Sequence, residues 1–379
     1  MQPVNEKKVY FPSLNGLRFI AASLVIIYHI EQLKSLFGLK NYWRANAFIE
    51  QIGGLGVTLF FVLSGFLITY LLLAERDNFQ KIHLINFYIR RVLRIWPLYY
   101  FLIITGFFIV PFFLSIPNTE SAMINGSNKL FLFFIFLPNV SIVILPMVPF
   151  VAHLWSVGVE EQFYLVWPLL LRISKNKTIF FLIAIVILMS ALRIIILHYY
   201  SSYISGQYFL RFLNYTRIDC MAIGGIGSCI LNNNRLSILN VIFKVSFQVM
   251  VYSILMVALL FGVGWLNHFY LNDVFYSIIF IVVLLNLASN KKSIFNLENK
   301  VLNWLGKISY GLYMYHVIAI VFSIKIVQSI FDNDKSFVFH GVIFILSFLF
   351  TIFLSAISYE FFERKFLLLK NKFSFIKSG

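Results

Sequence analysis

Long runs of apolar residues, separated by short polar segments, recur along the whole chain. Each run approaches the roughly 20 residues that an α-helix needs to cross a bilayer. The runs predict membrane spans near residues 14–33, 54–74, 95–116, 151–171, 179–199, 208–231, 245–265, 273–289, 308–330 and 338–362. We therefore expect an all-α, polytopic membrane protein with about ten transmembrane helices, folded as a single domain over residues 1–379.

Composition and charge placement agree with a membrane protein and predict its orientation. The chain is 60% hydrophobic and only 12% charged, whereas soluble domains carry about 25% charged residues. Most of the 31 lysines and arginines fall in loops that share one side of the membrane if the N-terminus is cytoplasmic. Because positive residues favour the cytoplasmic side, we expect both termini there. We interpret the net charge of +16 as this topology signal and not as nucleic-acid binding.

Residues 129–150 are apolar enough to span the membrane but contain Pro138, Pro146 and Pro149. Prolines break the hydrogen-bond ladder of a helix, and an extra span here would invert the charge pattern that follows. We expect a re-entrant or interfacial excursion in this segment.

The first span carries two polar residues, Arg18 and His29. Eleven positions make close to three helical turns, so both side chains share one face, about 16 Å apart along the axis. A snorkelling arginine and a hydrogen-bonded histidine would be the structural explanation. Because polar groups in a membrane helix are costly, the shared face favours a functional pair.

The second span contains Gly53, Gly54, Gly56 and Gly65, with Ser64 beside the last. Small residues allow helices to approach closely, and this is the favoured interpretation. A glycine-lined slot for a substrate chain is the alternative.

Three arginines, Arg90, Arg91 and Arg94, follow at the cytoplasmic end of the third span. Arginines at this position commonly anchor a helix. Their guanidinium groups also suit phosphates, and Arg18 lies at the same depth. A phosphate-rich ligand such as coenzyme A would fit there, with an extended arm directed towards His29.

The fourth span begins with HLWSVGVEEQFYL. Ser156 and Glu160 share one face of the predicted helix, and His153 lies just before it. We expect Glu161 to reach solvent and Glu160 to pair with His29, since a carboxylate raises the basicity of an imidazole.

Two further spans carry polar groups. Arg217 and Asp219 in the sixth predict a structural ion pair, with each other or with neighbours. In the ninth, Tyr310 and His316 belong to a polar strip that begins at Ser309.

Several chemistries find no support in the sequence. The chain has no GxSxG elbow, no HExxH motif and no phosphate-binding loop, which argues against hydrolase, metalloprotease and ATPase functions. The two cysteines indicate neither a disulfide framework nor a metal site, and no metal is predicted.

In this order and spacing, the motifs resemble the acyltransferase family 3, the integral-membrane acyltransferases of bacterial surface sugars. The resemblance rests on Arg18-x10-His29, FFVLSGFLI at 60–68, Arg91-x-x-Arg94, HLWSVGVEEQFYL at 153–165, RIDCMAIGG at 217–225 and LGKISYGLYMYH at 305–316. The chain departs from the family in having Glu363-Arg364, without the common proline after the final glutamate. At that position the sequence predicts a surface cluster of Glu363, Arg364 and Lys365. The sequence ends at Gly379, and from it we expect no extracellular hydrolase-like domain of the kind that some members carry.

The resemblance implies transfer of an acyl group, usually acetyl, from cytoplasmic acyl-coenzyme A to a carbohydrate hydroxyl. His29 would be the catalytic base, with Glu160 as a second catalytic group, and Arg18, Arg91, Arg94 and Arg90 would bind the donor. Ser156, Tyr310 and His316 are further candidates, and an acyl-enzyme on His29 or Tyr310 stays open. The implied acceptor is a lipid-linked or surface glycan, such as O-antigen, exopolysaccharide or a peptidoglycan sugar. The implied location is the bacterial inner membrane.

The alternative function is a proton-coupled transporter or flippase of a lipid-linked glycan. Buried His, Glu and Arg–Asp groups also suit such a carrier. The sequence shows no inverted repeat and no matched pair of broken helices, which argues against it.

Overall fold

A computed structural model describes residues 8–117, 126–174, 177–264, 266, 270–331, 336–374 and 377–378. The described part is almost entirely helical, as the apolar runs predict. The exception is a two-residue parallel pairing between Lys8–Val9 and Lys377–Ser378.

The helices follow the apolar runs in order. They are α1 Leu14–Leu36, α2 Ala47–Phe79, α3 Leu84–Ile104, α4 Val110–Phe113, α5 Gly126–Phe134, α6 Pro138–Ile144, α7 Trp155–Ser174, α8 Thr178–Tyr200, α9 Ile204–Thr216, α10 Ile218–Asn232, α11 Leu236–Ile242, α12 Val245–Phe261, α13 Asn272–Ser289, α14 Lys300–Lys307, α15 Ser309–Ile330, α16 Phe337–Ser358 and α17 Arg364–Asn371. Single π-helical turns, Thr105–Ile109 and Tyr359–Glu363, join α3 to α4 and α16 to α17.

Among the described residues, seven helices are long and apolar enough to cross a membrane, and an eighth is possible if the bent pair α11 and α12 forms one span. Two predicted spans, 151–171 and 208–231, are not among these helices, and the structure shows why. Helix α7 carries three charged residues, Glu160, Glu161 and Arg172. The predicted span 208–231 is divided between α9 and α10 at Arg217, whose φ is 41°. The figure of ten crossings stays a prediction.

Helix α2 lies at the centre of the bundle and packs against α1, α7, α10, α12 and α13. Its glycines allow this. A Cβ at Gly65 would lie 2.0 Å from the Met221 carbonyl oxygen of α10, and one at Gly224 would lie 2.2 Å from the Val62 oxygen of α2. The two helices therefore approach each other through glycines on both sides, which supports the packing interpretation over the slot.

Two buried ion pairs connect helices around α10. Arg193 of α8 pairs with Asp219, and Arg217 pairs with Asp273 of α13 at 3.1 Å. Arg217 and Asp219 therefore pair with residues of neighbouring helices and not with each other. Because these charges are paired, their burial in an apolar bundle is sustainable.

Residues 129–150 form no long helix. Helices α5 and α6 are separated by a break at Phe136, which adopts a φ of 58°. The break packs against α7, because Gln162 donates to the Phe136 carbonyl at 2.7 Å and to Asn139 at 2.8 Å. Irregular backbone buried against protein in this way is what an intramembrane excursion requires.

The close approach of α2 and α10 makes a stability prediction. We expect Gly65→Ala to destabilise the protein by about 2 kcal/mol or more, because its new methyl group would overlap the α10 backbone. Gly341→Ala is the matched control, since nothing lies within 4 Å of a Cβ at this position in α16. Thermal unfolding in detergent would measure both. Equal melting temperatures for the two variants would contradict the packing.

Candidate functional site

A cavity of about 430 Å³ opens among α1, α2, α3, α7, α14, α15 and the α16–α17 segment. Six basic residues line it. Two of them are Lys307 of α14 and Arg364 of α17, and Arg364 pairs with Glu360. The other four come from three separate elements of the chain: Arg18 of α1, Arg91 and Arg94 of α3, and Lys370 of α17. Their charges lie close enough to interact. Arg18 thus lies in the same cavity as two arginines of the predicted motif, Arg91 and Arg94.

The arginines of the cavity find only some of their hydrogen-bond partners within the protein. Arg18 donates to the Asn15 side chain at 3.2 Å. The Arg91 guanidinium lies 5.4 Å from the centre of the Tyr164 ring, and its buried Nε has no hydrogen-bond partner among the described residues. A buried donor without a partner is costly, so the cavity is suited to a ligand that supplies acceptors.

Arg90, the third predicted donor contact, does not line the cavity. It donates to Glu75 at 3.3 Å and to the Phe373 carbonyl at 2.8 Å. Neighbouring residues on a helix point about 100° apart, so Arg90 faces the Glu75 side while Arg91 faces the cavity.

Glu160 lines the cavity next to the basic residues and is held by two hydroxyl groups. Ser64 donates to Oε1 at 2.8 Å and Tyr164 donates to Oε2 at 3.0 Å. The expected contact between Glu160 and His29 is wrong, because both carboxylate oxygens are bonded within the cavity and His29 does not line it.

Glu161 does not reach solvent as expected. The Trp96 indole donates to its Oε2 at 2.8 Å, and Oε1 is buried without a partner among the described residues. Adjacent positions on α7 thus direct the two carboxylates to different neighbours.

Ser156 and Tyr313 lie further along the cavity wall. Their hydroxyl groups are 2.6 Å apart, and Tyr313 also donates to the His153 carbonyl at 2.8 Å. Tyr310 lines the cavity as well and donates to the Ile95 carbonyl at 3.0 Å. Of the further candidates, Ser156 and Tyr310 therefore belong to the cavity.

His29 and His316 lie against each other beyond the cavity wall. The Nδ1 of His29 is 3.2 Å from the Nε2 of His316, and 2.9 Å from the Val25 carbonyl oxygen. His316 is fully buried, whereas His29 is partly exposed. His316, the third of the further candidates, therefore contacts His29, the predicted base. The sequence did not predict this contact between α1 and α15.

The predicted surface cluster at the chain's end is also different. Arg364 pairs with Glu360 at 2.6 Å, while Glu363 accepts from Ser358 at 3.0 Å and lines the cavity. Arg364 lines the cavity as well, so the two neighbours share the cavity but bond to different partners.

The sequence comparison decides the family. The profile of an acyltransferase domain, that of the acyltransferase family 3, matches residues 11–360. The chain belongs to this family. The predicted resemblance is confirmed over nearly the whole chain.

Relatives with the same domain come from several bacteria. The O-acetyltransferase OatA of Staphylococcus aureus (strain NCTC 8325 / PS 47) is 31% identical over 375 residues, which cover 93% of this chain and 57% of that protein. The peptidoglycan O-acetyltransferase OatA of Listeria monocytogenes is 32% identical over 81% of this chain and 49% of its own length. The putative peptidoglycan O-acetyltransferase YrhL of Bacillus subtilis is 28% identical over 94% of this chain and 54% of its own length.

The chain thus spans about half the length of these relatives. No solved structure matches it.

Lys370 is the site residue that sequence reasoning missed in this acyltransferase-family chain. It lies after the last predicted span, among the basic residues of the tail, where a topology signal explains any single lysine. The continuation of α16 through the π turn into α17 brings it to the cavity.

The cavity can be tested by thiol labelling. Cys220 and Cys229 are 0% and 1% exposed, so we expect the unmodified protein to react slowly. Ser64→Cys would place a thiol on the cavity wall and should react rapidly with a small anionic methanethiosulfonate, whereas Leu63→Cys, at a core position 2% exposed, should not. Mass spectrometry of native membranes measures both. Equal labelling of the two variants would contradict an accessible cavity.

Proposed function

We propose that this chain is a membrane O-acyltransferase, which takes an acetyl group from acetyl-coenzyme A and transfers it to a hydroxyl of a cell-wall carbohydrate. The observation that carries the proposal is the convergence of Arg18, Arg91, Arg94 and Lys370 on one cavity. These four positive charges repel one another, and Glu160 and Glu363 in the same lining offset only part of the positive charge. A polyanionic ligand would relieve this repulsion.

The chemistry of the cavity residues supports coenzyme A as the proposed ligand. Guanidinium groups bind phosphate oxygens through paired hydrogen bonds, and the unpartnered Nε of Arg91 has a donor to offer. The volume of about 430 Å³ lies within the 300–1,000 Å³ range of ligand pockets. Beyond the basic residues, the wall consists of apolar side chains of α2, among them Val57, Phe60 and Leu67, against which an extended pantetheine arm would pack.

The donor's thioester would supply the acyl group, and the chain's residues would position the reactants and handle the proton. Arg18, Arg91 and Arg94 would hold the phosphates. Glu160, fixed by Ser64 and Tyr164, would provide a polar contact within the cavity. His29 would act as general base on the acceptor hydroxyl, a contribution of about 10²–10⁴ in rate.

The names of the three relatives favour a cell-wall acceptor. Two of the three are named for peptidoglycan and two of the three bear the name OatA. We therefore propose a peptidoglycan sugar as acceptor in preference to O-antigen or exopolysaccharide. Membership of an acyltransferase family favours group transfer over the carrier function.

The proposed location is the bacterial cytoplasmic membrane, with both termini in the cytoplasm. The distribution of lysine and arginine supports this orientation. It would direct the basic residues of the cavity towards cytoplasmic coenzyme A and His29 towards the opposite side.

The donor assignment makes a binding prediction. We expect Arg91→Ala to weaken acetyl-coenzyme A binding by about tenfold or more, since a charged hydrogen bond contributes about 1.5–3 kcal/mol. Arg90→Ala is the matched control, because the adjacent arginine lies outside the cavity and pairs with Glu75. Isothermal titration calorimetry of purified protein measures both. An unchanged affinity in Arg91→Ala would remove this residue from the donor site.

The proposed base makes a separate prediction. We expect His29→Ala to lower acetyl transfer by at least about 100-fold, while acetyl-coenzyme A binding stays within error, because His29 lies outside the cavity. Transfer of radiolabelled acetyl, measured beside binding, separates the two effects. Transfer at the unmodified rate would show that His29 is not the base.

A further inference from the structure

Three imidazoles form a cluster, defined here as His29, His153 and His316. The ring centres of His29 and His316 are 4.7 Å apart, and those of His153 and His316 are 4.8 Å apart. His153 and His316 are 4% and 0% exposed, respectively. A histidine packed in this manner could be merely a core residue, so its role depends on the hydrogen bonds that it makes.

Backbone carbonyls fix the proton positions in this cluster. A carbonyl oxygen only accepts, so a ring nitrogen at hydrogen-bond distance from one must carry a proton. The Nδ1 of His316 lies 2.6 Å from the Tyr313 carbonyl oxygen. His316 Nδ1 is therefore the donor, and its Nε2 has a free lone pair in the neutral ring.

The same reasoning applies to His29. Its Nδ1 lies 2.9 Å from the Val25 carbonyl oxygen and 3.2 Å from the His316 Nε2. The Nδ1–H of His29 is consequently shared between these two acceptors. The Nε2 of His29, on a partly exposed ring, is then the nitrogen with the lone pair.

We propose that His316 is the positioning residue of His29, a role that rests on the proposed function. His316 would accept from the Nδ1–H of His29 and hold its ring with Nε2 towards the acceptor. The chain of contacts runs from the Tyr313 carbonyl through both ring nitrogens of His316 to His29. It corresponds to the base-and-orienter arrangement of catalytic triads, with a neutral imidazole in place of a carboxylate.

The proton balance of the step is simple. As the acceptor oxygen forms its bond to the acyl carbon, the hydroxyl proton passes to His29 Nε2. The bond from the acyl carbon to sulfur breaks, and the departing thiolate takes up this proton from His29 Nε2, which restores the neutral imidazole. His29 carries a positive charge in between, and the His316 lone pair stabilises that charge through the shared Nδ1–H.

Other side chains are less suited to this role. Glu160 is occupied by Ser64 and Tyr164. His153 faces the Met314 carbonyl with Nε2 at 3.1 Å and makes no hydrogen bond to His29 in the part of the chain that the structure describes. No cluster of His, Cys, Asp and Glu suited to a metal ion occurs within that part either.

The test uses two substitutions in the full chain. His316→Leu removes the acceptor and keeps an apolar side chain of similar volume, while His316→Gln restores an acceptor oxygen near the position of Nε2. We expect the Leu variant to lower kcat by about 100-fold, with the KM for acetyl-coenzyme A within about twofold. We expect Gln to recover at least about tenfold of that loss. If His316 had a purely structural role, its replacement would affect folding. It would not lower kcat while leaving KM unchanged, and the acceptor oxygen of the Gln variant would not restore kcat.

A second measurement does not depend on acyl transfer. Diethyl pyrocarbonate modifies the lone pair of histidine, and mass spectrometry reads the modification of His29 alone. We expect the rate at His29 to change several-fold in His316→Leu, and to stay at the unmodified protein's rate in His316→Gln. His153→Leu is the matched control, since it removes the neighbouring imidazole that is not bonded to His29, and it should leave the labelling of His29 unchanged.

The outcomes separate this inference from the proposed function. If His316→Leu keeps kcat and the labelling rate of His29, the positioning role is overturned. It is also overturned if Gln is as defective as Leu in both measurements while both variants bind acetyl-coenzyme A. If the unmodified protein transfers no acetyl group, the proposed function fails, while the labelling of His29 still decides whether His316 positions it.

Discussion

Every charged or polar side chain inside this apolar bundle needs a partner, and that constraint separates the scaffold from the site. A charge at the centre of a membrane helix costs about 2.5–3.5 kcal/mol on insertion scales. The pairs Arg193–Asp219 and Arg217–Asp273 meet this cost within the protein and connect α8, α10 and α13. Arg91 has no carboxylate partner among the described residues and His29 leaves a ring nitrogen free, and both belong to the region where the proposed substrates would bind.

The scaffold makes this division possible by its close packing. Glycines at the contact of α2 and α10 bring the backbones together, while Ser64, next to Gly65, points about 100° away from that contact and donates to Glu160 in the cavity. The same helix therefore packs with one face and lines the cavity with another. A similar division occurs on α3, where Arg90 joins the scaffold through Glu75 while Arg91 and Arg94 face the cavity.

Features that depend on one helix were predictable from the sequence, and contacts between helices were less so. Apolar runs located the helices, and equal depth brought Arg18 together with Arg91 and Arg94. The sequence favoured Glu160 as the partner of His29, whereas the structure places Glu160 beside the arginines of the cavity and His316 against His29. Rotation about the helix axis decides such contacts, and it depends on packing that a single sequence does not display. The turn at Arg217 and the π turn at Tyr359–Glu363 are local backbone changes that a single sequence does not display either. The π turn leads α16 into α17, which explains why Lys370 was missed.

The proposed reaction is the transfer of an acetyl group from acetyl-coenzyme A to a cell-wall sugar. The most direct measurement reconstitutes the purified protein in liposomes with radiolabelled acetyl-coenzyme A and soluble peptidoglycan glycan strands. We expect label on the glycan as a base-labile ester, with one free thiol of coenzyme A released for each acetyl group transferred. Glycan label no higher than in liposomes without protein, from a preparation that is folded and monodisperse, would contradict it.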